Sequence, residues 1–74
     1  NGDYLARLFK KETGASIGAY LQMKRLQKAK ELLRETNLSV SQIASEVGYY
    51  NFSYFAKIFR KAEGITPNEW RRNV

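Results

Sequence analysis

The stretch NFSYFAKIFRKAEG, from Asn51 to Gly64, decides the fold, because the chain opens with a near copy of it, NGDYLARLFKKETG, from Asn1 to Gly14. The two copies share their first and last residues and most of the apolar and basic positions between them. The identical pairs are Asn1/Asn51, Tyr4/Tyr54, Ala6/Ala56, Phe9/Phe59, Lys11/Lys61 and Gly14/Gly64. A duplication of this kind indicates that one structural unit is used twice.

Each copy predicts a short amphipathic helix. The asparagine is a suitable N-cap, and the final glycine suits a left-handed C-cap. The apolar residues of each copy recur at helical spacing on one face. They are Leu5, Leu8 and Phe9 in the first copy and Phe55, Ile58 and Phe59 in the second. The opposite face has small residues alternating with cations, so it can lie against a polyanion.

Composition favours a nucleic-acid partner and excludes several kinds of chemistry. The chain has 74 residues, 13 Lys and Arg against 7 Asp and Glu, and a net charge of +6. Such a basic balance in a small domain is typical of nucleic-acid binding. Without cysteine or histidine, the chain has no disulfide, no thiolate or imidazole metal site and no imidazole-activated nucleophile. We expect a protein that is not an enzyme and needs no cofactor or metal. A cytoplasmic location is expected, with a secreted protein without cysteines as the alternative.

A long helix separates the two copies. Ser16 is its expected N-cap, and the following residues contain no proline and only one early glycine. Its apolar residues form two patches, one of Ile17, Tyr20 and Leu21 and another of Leu26, Ala29, Leu32 and Leu33. We therefore expect this helix to pack into a small core at each end. About 20 residues give a rod of roughly 30 Å, close to the ~34 Å of one DNA turn.

The residues after Asn37 predict a helix-turn-helix. Ser39 and Gln42 have the spacing of a capping box, with Leu38 placed to pack on Ile43. Gly48 should stop this short helix before the next one begins at Asn51. In such a pair the second helix enters the major groove of DNA.

The chain ends with a predicted closing helix. Thr66 should cap it, Pro67 suits its first position, and Trp70 should pack against the second core. Arg71 and Arg72 should be exposed, either near phosphate or in solvent.

These elements give an all-α chain with three parts. Residues 1–15 form the recognition helix of a first, incomplete helix-turn-helix, residues 16–36 the connecting helix, and residues 37–74 the second helix-turn-helix with its closing helix. We expect the partner helix of the first unit to precede Asn1. Leu5, Leu8 and Phe9 would then have an incompletely covered apolar face.

The chain resembles the C-terminal DNA-binding domain of the AraC/XylS family of bacterial transcription regulators. Three blocks are similar to the family pattern: YLARLFKKETGASIGAYL, RLQKAKELLRETNLSVSQIASEVGY and SYFAKIFRKAEGITPNEWR. The resemblance implies two homeodomain-like helix-turn-helix subdomains that insert recognition helices into successive major-groove segments of a promoter. It also implies contact with RNA polymerase in the full-length protein and an effector or receiver domain outside these residues.

The family's base-reading positions fall on both recognition helices. They correspond to Gly2, Asp3, Ala6 and Arg7 in the first and to Phe52, Ser53, Ala56 and Lys57 in the second. Arg7 is expected to bind guanine in bidentate fashion, and Lys57 to bind guanine or phosphate. Asp3 either accepts from cytosine or stabilises the start of its helix.

Other residues are expected to contact phosphate without reading sequence. These are Lys10, Lys11, Arg60 and Lys61, together with the helix starts at Ser39 and Thr66. The cations of the connecting helix should form a solvated face, with Arg34 and Lys28 each able to pair with Glu31. Among the aromatic residues, Tyr4, Tyr20 and Tyr54 are predicted to be buried, and Tyr50 to be exposed. The alternative function is a basic helical module that binds RNA or an acidic protein.

Overall fold

The computed structural model describes residues 16–74 and, before them, Leu5, Arg7, Leu8 and Lys11. The described residues form an all-α fold with no strand. Its helices are α1 (Ile17–Glu35), α2 (Val40–Glu46), α3 (Phe52–Glu63) and α4 (Pro67–Arg72). The four isolated residues are also helical. Asn1, Tyr4, Phe9 and Gly14, on which other predictions for the first copy depend, lie outside the described residues.

Each of these helices begins where its N-cap residue predicts. The side chains of Ser16, Ser39, Asn51 and Thr66 each accept a hydrogen bond from the backbone N–H three residues later. The predicted capping box is present at Ser39, where Gln42 also accepts from the Ser39 N–H at 2.9 Å. Thr66 and Glu69 form a second capping box, which was not predicted. Pro67 occupies the first turn of α4, as expected.

Two glycines with positive φ end α2 and α3. Gly48 has φ 100° and Gly64 has φ 84°, a region that L side chains rarely adopt. At Gly48 the chain turns sharply enough for the Tyr49 N–H to donate to the Ala44 carbonyl at 2.8 Å. At Gly64 the backbone N–H donates to the Arg60 carbonyl at 2.7 Å. The predicted glycine stops are therefore confirmed, and the first of them separates α2 from α3.

The core lies at the C-terminal half of α1, where α2, α3 and α4 pack around it. Its buried residues come from the first three of these helices and from the turn, and α4 contributes Trp70, which is partly buried against them. The buried residues are Leu26, Ala29, Leu33, Val40, Ile43, Ala44, Val47, Tyr49, Phe55, Ile58 and Phe59. Phe55 and Phe59 are fully buried with ring centroids 5.9 Å apart, and Trp70 meets Phe59 edge-on at 6.4 Å. The predicted apolar patch around Leu26 is thus confirmed, as is the position of Trp70.

The N-terminal half of α1 is much less covered. In its other predicted patch, Tyr20 is 36% and Leu21 46% exposed, so the burial predicted for Tyr20 is wrong. Leu5 and Leu8 are also exposed, as expected for an apolar face that is incompletely covered. The burial predicted for Tyr54 is wrong, because this residue is 54% exposed. It lies beside the buried stripe of α3, whose members are Phe55, Ile58 and Phe59.

Three basic side chains make contacts that differ from the prediction. Arg71 is not a solvated residue: its guanidinium donates to the carbonyls of Leu33 at 3.1 Å and Thr36 at 3.3 Å. The last carbonyls of a helix lack partners within it, and a nearby cation can satisfy them. Lys30 is half-buried and bonds to Glu63 of α3 at 3.4 Å.

Arg34 pairs with Glu35 at 2.9 Å instead of Glu31, whereas the predicted pair of Lys28 with Glu31 is present at 3.7 Å. Both pairs are exposed and therefore contribute little to stability. Lys30 and Arg71 matter more for the fold, since they connect α1 to the two helices that follow the turn.

Candidate nucleic-acid interface

The exposed face of α3 follows from its buried one. Phe55, Ile58 and Phe59 face the core, so the helix turns Ser53, Lys57 and Arg60 outward at spacings of four and three residues. These three side chains are exposed and lie on one surface. Because the opposite face is fixed by fully buried aromatic rings, the direction of this surface is set by the core and not by a flexible loop.

An open groove of about 670 Å³ runs along this face. It is lined by Ser53, Ala56, Lys57, Arg60, Lys61, Gly64 and Thr66. The structure therefore brings together three of the residues predicted to read bases on α3 and three of those predicted to contact phosphate. Two other predicted residues do not line this groove. They are Phe52, which is 43% exposed at the first position of α3, and Ser39, at the start of α2.

The cations of this groove form no close ion pair with a carboxylate in the described part of the chain. Within the described ranges, no Asp or Glu oxygen lies within 4 Å of Lys57, Arg60 or Lys61, although Lys28, Lys30 and Arg34 are each paired. None of the described residues that line the groove is acidic. Unpaired cations on one concave surface produce a positive potential that attracts a polyanion.

The helix starts at Ser39 and Thr66 differ as phosphate sites. At Ser39 the capping box engages the N–H groups of Ser39 and Gln42 and leaves those of Val40 and Ser41 available. At Thr66 the carboxylate of Glu69 accepts from the Thr66 N–H at 2.9 Å, and Pro67 has no N–H to offer. The Thr66 end therefore has fewer free donors and a negative charge beside them.

Glu69 is held in its charged form by this cap. The Thr66 backbone N–H, followed by the Thr66 side chain, lowers the pKa of Glu69 below its ordinary value of 4.5, and the more distant charges of Arg72 and Arg60 act in the same direction. A carboxylate that accepts hydrogen bonds only when ionised resists protonation.

Of the residues predicted to read DNA on the first recognition helix, Arg7 is described, and so is the predicted phosphate contact Lys11. Both are helical and exposed, and their spacing of four residues places them on the same helix face. Gly2, Asp3, Ala6 and Lys10 lie outside the described residues. The base-reading and phosphate roles of all these positions stay predictions.

A second cleft, of about 480 Å³, separates α1 from the turn before α3, and the sequence did not reveal it. Arg25 of α1 places its guanidinium 5.4 Å from the centre of the Tyr49 ring. Tyr50, which is 90% exposed as predicted, also lines this cleft. No sequence pattern distinguishes Arg25 from the other cations of α1, since the contact joins residues far apart in the chain.

Comparison with known proteins assigns the family. A model of the helix-turn-helix domain of AraC-type regulators matches residues 1–73. The chain belongs to the AraC/XylS family of DNA-binding transcription regulators. This AraC/XylS domain is 45% identical over 74 residues to the uncharacterized transcriptional regulatory protein YesN of Bacillus subtilis, covering 97% of the chain and 20% of that protein. It is 38% identical to the HTH-type transcriptional activator RhaR of Cronobacter sakazakii, covering 92% of the chain and 24% of RhaR.

Solved structures agree with this assignment. The C-terminal domain of AraT, a response regulator from Geobacillus stearothermophilus, is 42% identical and superimposes with a TM-score of 0.95 over 100% of the chain and 61% of its own. The AraC/XylS domain thus spans about a quarter or less of the first two curated relatives. No helix within residues 16–74 is long and apolar enough to cross a bilayer.

Proposed function

We propose that this AraC/XylS domain reads promoter DNA by inserting α3 into one major-groove segment and the helix that contains Arg7 into the next. The groove of unpaired cations on α3 supports this proposal most directly. Most protein–DNA affinity comes from neutralising phosphates, and a rigid helix face is what the major groove accepts.

The residues of α3 have distinct roles in this proposal. Ser53, Ala56 and Lys57 lie in its first two turns, where a recognition helix contacts base edges, and Phe52 precedes them at the first position. Lys57 donates to guanine, Ser53 donates or accepts, and the apolar Ala56 and Phe52 contact thymine methyl groups. Arg60 and Lys61 follow, where they contact the phosphates that border the same groove. The start of α4 at Thr66 also lines the groove, but it contributes less to phosphate binding because Glu69 accepts from the Thr66 N–H.

The length of α1 supports the use of two groove segments. Its 19 residues make a rod of about 28 Å, slightly shorter than the ~34 Å between successive exposures of the major groove on one side of B-DNA. The ties from α1 to α3 and α4 through Lys30 and Arg71 keep the second recognition helix in a fixed orientation relative to this rod.

In this proposal, other parts of the longer protein detect the regulatory signal and act on transcription. Because AraT is described as a response regulator and RhaR as an activator, we propose that the longer protein has a receiver or effector domain and contacts RNA polymerase. It would act in the cytoplasm, where bacterial promoters are, and would bind DNA without catalysing a reaction.

Selection from a random duplex library, followed by titrations at several salt concentrations, tests the proposal. Lys57→Ala should lose discrimination at particular base pairs, by about 1–3 kcal/mol for each pair read. Lys61→Ala should instead weaken all duplexes alike and reduce the slope of log affinity against log salt by about 0.9. These two side chains are exposed neighbours on one helix, so each is the control for the other.

Two results would overturn the proposal. If Lys57→Ala leaves the selected sequence preference unchanged, the outward face of α3 does not read bases. If the wild-type protein binds single-stranded RNA as tightly as any duplex, the basic surface serves the alternative class of partner.

A further inference from the structure

The cleft between α1 and the turn before α3 has the composition of an anion site. Its walls include Gln22 and Arg25 from α1, the turn residues Tyr49 and Tyr50, and Asn51 and Tyr54 at the start of α3. No carboxylate is among its lining residues in the described part of the chain. Among the lining residues that the structure describes, Arg25 is the one with a charged side chain, so a bound anion would meet a positive charge and no negative one there.

Arg25 is held in place before any ligand binds. Its guanidinium lies over the Tyr49 ring at 5.4 Å, and it also lies 3.4 Å from where a Cβ on Gly48 would be. Tyr49 is itself 8% exposed and packs against Phe55 at 5.6 Å, so the ring beneath the cation is part of the core. A cation stacked on a fixed ring loses less conformational freedom when it binds a ligand than a free side chain does.

The charge of Arg25 is also available. No Asp or Glu among residues 16–74 comes within ion-pair distance of it, whereas Lys28, Lys30 and Arg34 of the same helix each have an acidic partner. Arg25 is exposed to solvent and lines the cleft. The planar fork of an arginine guanidinium can donate to two oxygens of a phosphate at once.

We propose that this cleft binds a backbone phosphate of the DNA strand that borders the groove occupied by α3, with Arg25 as its ligand. The proposal rests on the proposed function, since α3 must enter the major groove for the strand to reach the cleft. The cleft includes the residues directly before α3 and its N-cap, Asn51. A recognition helix reaches base edges with its N-terminal residues, and the sugar-phosphate backbone therefore passes the chain immediately before that end.

This contact gives α1 a direct part in DNA binding. The rod would then hold the backbone between the two groove segments as well as connecting the helices that read them. Arg25 would add affinity and salt dependence for every duplex, but it would not discriminate between sequences.

The test compares Arg25→Gln with Lys28→Gln. Both substitutions remove one positive charge from α1, but Lys28 lies one turn or less away and is paired with Glu31. Affinities are measured for the selected duplex and for a random duplex of about 30 base pairs, three helical turns, across a range of salt concentrations. Thermal unfolding of each variant is followed by far-ultraviolet circular dichroism, and Arg25→Lys retains the charge without the planar fork.

The expected result is a specific change in salt dependence. Arg25→Gln should reduce the salt slope by about 0.9 for both duplexes, Lys28→Gln should leave the slope close to the wild-type value, and Arg25→Lys should restore most of it. A lower unfolding temperature with an unchanged slope would overturn the inference and assign Arg25 a purely structural role on Tyr49. Equal slope changes in Arg25→Gln and Lys28→Gln would also overturn it.

The result separates this inference from the proposed function. If Lys57→Ala alters sequence preference while Arg25→Gln leaves the slope unchanged, only the phosphate site is wrong. If the wild-type protein shows no preference for duplex DNA, the proposed function fails first.

Discussion

Alanine substitutions at Gly18 and Gly64 should change stability in opposite directions. Gly64 ends α3 with φ 84° and ψ −12°, a left-handed conformation. Gly18 is the second residue of α1 and has no such constraint. A Cβ at either position would meet no heavy atom within 4 Å. Steric fit is therefore equal at the two sites, and only the backbone conformation distinguishes them.

The magnitudes follow from that difference. A side chain in the left-handed region costs about 1–2 kcal/mol, so Gly64→Ala should lower the free energy of unfolding by this amount. Replacing a glycine inside a helix by alanine raises the free energy of unfolding by about 0.5–1 kcal/mol. Gly18→Ala should gain part of this amount, because Gly18 lies in the first turn of α1. For a domain of this size each kcal/mol shifts the unfolding temperature by about 4–8 °C. Gly64→Ala should thus unfold about 4–16 °C below the wild-type protein, and Gly18→Ala a few degrees above it.

Thermal unfolding measured by circular dichroism checks both values in one series. Gly64→Asn is the matched control, because asparagine tolerates the left-handed region better than alanine and should recover part of the loss. If Gly64→Ala unfolds at the wild-type temperature, the positive φ at the end of α3 is wrong. If Gly18→Ala is destabilised as strongly as Gly64→Ala, steric crowding and not backbone conformation controls these sites.

Two further predictions concern the core and the cap of α4. Phe59 is fully buried between Phe55 and Trp70. Phe59→Ala should therefore lower the free energy of unfolding, measured with urea, by about 3–5 kcal/mol. This is a large share of the roughly 4–11 kcal/mol expected for a domain of this size. Phe59→Leu is the control and should lower the free energy of unfolding much less. A loss below about 1 kcal/mol for Phe59→Ala would contradict the burial of Phe59 in the core. Because the pKa of Glu69 is lowered from 4.5 in the folded state, the unfolded chain takes up this proton first, and stability should fall as the pH drops below 4.5. Glu69→Gln, which cannot titrate, should make that fall less steep, and an unchanged pH dependence would show that Thr66 does not hold the carboxylate.

Much of the fold could be predicted because its determinants are local. Four polar residues each cap a helix by accepting from the backbone N–H three residues later, so sequence spacing alone identifies the helix starts. They are Ser16, Ser39, Asn51 and Thr66. The apolar stripe of α3 and its outward cations follow from helical periodicity in the same way. The groove on α3 was therefore predictable from residues within one helix and the cap that follows it.

The contacts between distant residues could not be predicted in this way. Arg71 bonds to carbonyls of Leu33 and Thr36, and Lys30 to Glu63, across separations that no periodic pattern marks. Arg25 stacks on Tyr49 only because the turn at Gly48 brings the ring against α1. An arginine or lysine on a helix surface has the same sequence appearance whether it is solvated, paired or stacked, and tertiary structure decides between these states.

The uneven burial of α1 has a consequence for the way the domain opens. Each turn in the C-terminal half of α1 has a side chain buried in the core, at Leu26, Ala29 and Leu33. The amide protons of these turns can therefore exchange with solvent only when the whole core separates. Amide protons between Gly18 and Lys24 belong to turns with no buried side chain, and they can exchange by local fraying at a lower free energy. Partial opening would thus melt the rod from its first residues while α2, α3 and α4 remain assembled. α3, the helix proposed to read bases, would therefore stay folded while the first turns of α1 fray.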